Sequence, residues 1–177
     1  LLMADSLINQ QEFSNENRLF MQNSWGDYYN GVHQPDSAIH FFRNALTTSV
    51  ILDNQHEYNN QKLRLAHAYN NKYLSDSALK YYREALPYFR ENNDTLTMAA
   101  ILSGMATALI ESGNNKAALE KLDEAESIYK TTESYRELGG IYDNMARINA
   151  ELGYEKKTKK YGKKAIALYQ KGGDTLV

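Results

Sequence analysis

LRLAHAYNNKYLSDSALKYYREAL, residues 63–86, decides how this chain folds. Leu65, Ala66 and Tyr69, and then Ala78, Tyr82 and Ala85, make two short apolar stripes at helical spacing. A polar stretch parts them, so the segment reads as a helix, a turn and a second helix. Its small residues are the most telling. Ala66, Ala78 and Ala85 stand where the axes of an antiparallel pair approach closely, and only Gly, Ala or Ser fits in such a place.

The pattern returns every forty residues. The closing alanine recurs as Ala45, Ala85, Ala125 and Ala165, and the small residue of the first helix as Gly26, Ala66, Ala106 and Ala146. A large apolar residue precedes the latter each time: Trp25, Leu65, Met105 and Met145. Three residues beyond it stand Tyr29, Tyr69 and Leu109, and then Asn149. In the second helix the small position holds Ala38, Ala78, Ala118 and Thr158, and the large one Phe42, Tyr82, Leu122 and Gly162. The fourth copy is therefore degraded, with Tyr161 expected to fill the space beside Gly162.

This alternation of small, aromatic and large residues resembles the tetratricopeptide repeat (TPR), and the resemblance spans nearly the whole chain. The family's usual period is about 34 residues; the extra residues here would lengthen the helices where one pair hands over to the next. Longer units of this kind are similar to those of bacterial regulators related to quorum-peptide receptors and of Bacteroidetes sensor proteins. Asp36-Ser37-Ala38 and Asp76-Ser77-Ala78 carry the second comparison. The resemblance implies an all-α fold, a right-handed α-solenoid of antiparallel helix pairs. Its units are expected at 19–57, 58–97, 98–137 and 138–177, after a trailing half of a preceding repeat at 1–18.

Composition agrees with one solenoid. Apolar residues make up 42% of the 177, enough for a continuous core between stacked helices, and no apolar run nears the roughly 18 residues of a membrane span. A net charge of −2 argues against general attraction to nucleic acid or anionic lipid. The absence of cysteine excludes disulfides, thiolate metal sites and a cysteine nucleophile, and leaves bacterial periplasm and cytoplasm equally open. The chain starts at Leu1 without an initiator Met or a charged segment leading into an apolar run, so any targeting peptide is expected to lie outside it. Residues 173–177 repeat the pattern of 93–97, which suggests a piece of a longer array whose interrupted ends, at Leu1, Leu2, Leu176 and Val177, would self-associate. Pro87, inside the second helix of unit two, is expected to kink it.

Catalysis finds no footing in these residues. There is no Gly-rich phosphate loop, serine elbow or paired catalytic carboxylate. His33, His40, His56 and His67 lack the spacing of metal ligands on one helix face. We expect no enzyme, no cofactor and no metal. Basic residues outnumber acidic ones eight to four in unit four, through Lys156, Lys157, Lys159, Lys160, Lys163, Lys164, Lys171 and Arg147. This reads as a solvated face or as a patch for an acidic partner; without interleaved exposed aromatics it does not read as a nucleic-acid surface. The fourteen tyrosines, among them Tyr29, Tyr69, Tyr82 and Tyr129, fall mainly in helix seams.

In the TPR family, ligands lie against successive first helices, on the concave face. The matching positions are Phe20, Asn23, Asp27 and Asn30 in unit one, and Asn60, Leu63, His67 and Asn70 in unit two. Units three and four offer Ala100, Ser103, Thr107, Ile110, Gly140, Asp143, Arg147 and Ala150. The basic clamp with which chaperone-binding members hold a carboxylate terminus is missing. Asn23, Asp27, Asn30, Asn60, His67, Asn70 and Arg147 are left as the candidate contacts for a peptide or protein. Each amide there can donate to and accept from an extended backbone. Asparagine is also simply common in this chain, so the same residues read equally well as composition. The expected function is a peptide- or protein-binding module of a larger bacterial regulator, the alternative being a structural or self-association scaffold.

Overall fold

The computed structural model describes residues 13–173. Its regular structure is entirely helical: α1 (Asn15–Gly31), α2 (Pro35–Ile51), α3 (Gln55–Asn71), α4 (Ser75–Glu91), α5 (Thr95–Glu111), α6 (Asn115–Thr131), α7 (Tyr135–Glu151) and α8 (Glu155–Lys171). Each helix has 17 residues, about 25 Å of rise. Two helices and their two three-residue turns make up the forty-residue period. First helices start at 15, 55, 95 and 135, so Asn15–Arg18 form the opening turn of α1. Residues 1–12 of the half-repeat expected at 1–18, Leu1 and Leu2 among them, and the terminal Leu176 and Val177 lie outside the described residues.

The turns obey one rule every twenty residues. His33, Asp53, Tyr73, Asn93, Gly113, Glu133, Gly153 and Gly173 all take positive φ. The amide that follows reaches back five residues, as from Gln34 to Tyr29 O (2.8 Å), Leu74 to Tyr69 O (3.0 Å) and Asn114 to Leu109 O (2.8 Å). The amide of the left-handed residue itself reaches back three, as from Tyr73 to Asn70 O (2.9 Å). Two carbonyls that a helix end would leave orphaned are thus satisfied at six of these turns, those at His33, Asp53, Tyr73, Asn93, Gly113 and Gly153. Five of the eight left-handed positions carry a side chain, which costs roughly 1–2 kcal/mol for an ordinary L-residue.

Helix starts use local chemistry as well. Asn54 and Asp94 accept from the amides of Glu57 and Thr97 (3.0 Å each), and Ser14 and Asn114 cap α1 and α6 in the same way. Pro35 occupies the first turn of α2, where a missing N–H is harmless. The second proline, Pro87, does not end α4, which runs on to Glu91.

The chain divides into two compact units, Leu1–Tyr88 and Phe89–Val177. In the first, α1 packs on α2 and α2 on α3. Phe41 is fully buried, with Tyr29 stacked on it (centroids 5.6 Å apart, planes at 4°) and Trp25 beside it. Gly26 lets α1 close over Phe42: a Cβ there would lie 2.3 Å from the ring. In the second unit α6 packs on α5, α7 on α6 and α8 on α7. Ala45, Ala85 and Ala125 are completely buried and Ala165 nearly so, as the register requires. The degraded fourth copy keeps its fold by other means. Asn149 is buried with its amide turned back onto Met145 O (2.7 Å), and Tyr161 stacks on Tyr142.

Candidate binding site

Within the unit Leu1–Tyr88, side chains tie the two first helices together. Arg64 on α3 forms an ion pair with Asp27 on α1, and Asn71 Nδ2 donates to Asn30 Oδ1 at 2.8 Å. Asp27 and Asn30 thus both face the neighbouring first helix. Phe20, at 71% exposure, adds a large apolar ring to that face of α1. Asn23 is half-buried, and its Oδ1 has no hydrogen-bond partner. Asn60 donates to Glu57 Oε1 within its own helix (3.4 Å).

His67 and Asn70 serve a different purpose. Tyr82, fully buried on α4, accepts from Asn70 Nδ2 (3.2 Å), and its oxygen lies 3.0 Å from His67 Nδ1. With Asn70 donating, the phenolic proton goes to Nδ1, which leaves the imidazole proton on Nε2. Burial, and then the charge of Arg64, lower the His67 pKa to about 4, while burial pushes the Tyr82 hydroxyl well above its usual range. A neutral ring and a neutral phenol are what such a seam tolerates. These groups stiffen the α3–α4 pair, and their capacity for hydrogen bonding is directed into it.

Arg147 belongs to the other unit, where its Nη1 lies 3.0 Å from Glu111 Oε1. Asn115 to Glu151 (3.2 Å) and Lys72 to Asp36 repeat the same 36-residue offset, so polar pairs join successive repeats at regular intervals. Ile110, one of the positions carried over from the family, is buried at 5% exposure. On α8 the lysines from Lys156 to Lys164 face outward; Lys164 lies over the Tyr142 ring, 4.5 Å from its centroid, and 3.4 Å from its hydroxyl. Tyr142 in turn donates to Glu126, which also pairs with Lys130 (2.6 Å). Burial opposes ionisation of Glu126, but the Lys130 and Tyr142 hydrogen bonds prevail and lower its pKa. No group of three or more His, Cys, Asp or Glu able to hold a metal ion, and no helix long and apolar enough to cross a membrane, occurs among the described residues.

One feature escaped the sequence. Leu96, Thr97, Ala100, Tyr129, Ser134 and Glu137 line an open pocket of about 310 Å³ in the unit Phe89–Val177. Of these only Ala100 stands among the carried-over positions, because the register assigns Tyr129 to a seam and says nothing about where that seam opens.

Paired helices with a left-handed turn between them, repeated at constant register, define a helical-repeat protein of the solenoid class. Known structures share this fold. BtubC (BKLC) from P. vanneervenii matches over 96% of this chain and 69% of its own, at 18% identity and a TM-score of 0.73. Aspartyl phosphate phosphatase F from Bacillus subtilis matches at 15% identity and a TM-score of 0.80 over 92% of this chain, which spans only 43% of that protein. The TPR-like repeats of a Podosopora anserina protein, described as kinesin light chain, match over 93% of this chain and all of theirs (13% identity, TM-score 0.62). The fold is therefore TPR-like. No protein-family model and no curated protein matches the sequence.

Proposed function

We propose that this chain is a peptide- or protein-binding repeat module within a larger bacterial regulator, and that its binding surface lies along α1 and α3. The observation that carries the reading is the polar face these helices share: the Asp27–Arg64 and Asn30–Asn71 links hold Phe20, Asn23, Asp27, Asn30 and Asn60 in fixed relation. Polar groups held on rigid helices lower the ordering cost of gripping a flexible peptide. Binding without catalysis is the simpler use of a surface whose titratable groups are dispersed.

The structural-scaffold alternative draws on one observation: Asn30 and Asp27 spend their hydrogen bonds on Asn71 and Arg64. A peptide-array screen followed by titration of the best binder separates the two. Phe20→Ala combined with Asn30→Ala should weaken that binder by at least about tenfold, at unchanged helix content, if an aromatic anchor and an amide are both lost. Asn70 is left in place because it holds Tyr82. A control, Lys160→Ala, should alter mainly the salt dependence. No binder in the array, or equal affinity for wild type and the double variant, would favour the scaffold.

A further inference from the structure

The pocket in the unit Phe89–Val177 has a chemistry of its own. Leu96 and Ala100 of α5 give it an apolar lining, to which Tyr129 near the end of α6 and Ser134 and Glu137 at the start of α7 add polar groups. The hydroxyls of Thr97 and Ser134 are already engaged, the first donating to Asp94 Oδ2 (2.7 Å) and the second paired with Thr132 Oγ1 (2.9 Å). Two groups remain. The Tyr129 side chain, from a residue only 4% exposed, and the exposed Glu137 carboxylate make no hydrogen bond or ion pair with any described residue. Burial, and then the nearby Glu137 charge, push the Tyr129 pKa up to about 12, so its hydroxyl keeps its proton and the only formal charge on the wall is negative.

A tyrosine hydroxyl that lines the pocket and makes no hydrogen bond to its neighbours is available to bond an occupant. Beside a carboxylate, that partner should bring donors and positive charge. The apolar wall asks in addition for an aliphatic stem. An anion is excluded by Glu137 and by Asp94, which caps α5 next to Thr97. A purely apolar ligand would leave the Tyr129 hydroxyl without a partner.

We propose that this pocket takes an arginine or lysine side chain of a partner polypeptide, its methylenes against Leu96 and Ala100 and its cationic head bridging the Glu137 carboxylate and the Tyr129 hydroxyl. A cation on a flexible apolar stem matches a lining that is apolar on α5 and acidic at Glu137. Both guanidinium and ammonium carry donors enough for two acceptors. The inference does not depend on the α1–α3 surface, since every residue it uses lies in the other unit.

Titration of the isotope-labelled full chain with three blocked amino acids tests it, with backbone amide shifts as the readout. Nα-acetylarginine methylamide should bind in the millimolar range and shift the amides of Leu96, Thr97, Ala100, Ser134 and Glu137. The norleucine analogue, equal in stem but uncharged, should bind at least about tenfold more weakly, as expected for loss of a charge-assisted hydrogen bond. Glu137→Gln should erase that difference. Tyr129→Phe, which keeps the ring, should weaken the cation by about two- to tenfold while thermal denaturation stays cooperative. Free arginine separates the sources of the same chemistry: binding tenfold tighter than the blocked form would make the occupant a free amino acid and overturn the partner assignment. Equal binding of arginine and norleucine probes, indifference to Glu137→Gln, shifts elsewhere on the chain, or no saturable shift at all would each overturn the proposal.

Discussion

The helix pairs α1–α2 and α7–α8 occupy the same register and solve the same packing problem in opposite ways. In the first, Phe42 is buried at 1% exposure and α1 closes over its ring in space that only Gly26 leaves open. In the last, the matching position is Gly162, where an added Cβ would meet nothing within 4 Å. The rings there stand elsewhere: Tyr161 stacks on Tyr142 (5.9 Å, 19°), and Tyr169 lies over Gly139, where a Cβ would come within 2.8 Å of it. The lesson is that the repeat conserves the space between paired helices and not the residue that fills it. A small residue matters only where a large one faces it.

That contrast is sharpened most strongly at the same register position in the α3–α4 pair. Tyr82→Ala empties a fully buried site and should cost roughly 3–5 kcal/mol, read as a lower denaturation midpoint. An unchanged midpoint would mean that the ring does not fill the seam. Next comes acidity, because this seam holds a histidine against a buried tyrosine, whereas the polar pair buried between α1 and α2, Thr48 donating to Gln22 (2.9 Å), does not titrate. His67 titrates near 6.5 when unfolded and about 4 when folded, so the unfolded chain binds the extra proton between those values. Stability present above about pH 6.5 is therefore lost as the pH falls toward 4. The loss should reach about 1–3 kcal/mol, allowing for the ring's partial exposure. Urea titrations of wild type and His67→Gln at pH 7 and 4.5 would show it: the variant should have the flatter pH dependence, and equal slopes would sink the assignment.

The smallest effects test the glycines directly. Gly26→Ala should destabilise by about 1–3 kcal/mol, because Phe42 is too confined to yield. Gly162→Ala, at an open position in mid-helix, should stabilise by about 0.5–1 kcal/mol through backbone entropy and helix propensity. Thermal melts of both variants settle the matter, and shifts of the same sign would dissolve the distinction between the two pairs.

Some of this was legible because it repeats. Ala85 and Ala125 read as buried from spacing alone, and both have zero exposure. The candidate site was less so. Asp27, Asn30, His67 and Asn70 read alike, as polar residues on one face of first helices, yet their partners separate them. Asp27 and Asn30 bond α3, whereas His67 and Asn70 bond Tyr82 inside the α3–α4 seam. Periodicity cannot tell an outward amide from one turned into a seam, because a rotation of a few tens of degrees about the helix axis separates them.

The sequence by itself determined the all-α class, the forty-residue period, the pairing of helices and the residues at their closest approach, since each follows from short-range spacing and side-chain size. Only the tertiary structure decided the rest: the left-handed turns at Tyr73 and Glu133 where no glycine marks them, the tyrosine–histidine–asparagine seam, and the opening between Leu96, Tyr129 and Glu137. The seam and the opening depend on which groups from separate helices meet one another, and the turns on local bonds that side-chain spacing does not reveal. Hydrogen bonds and cavities are properties of such meetings, and no pattern within a single helix encodes them.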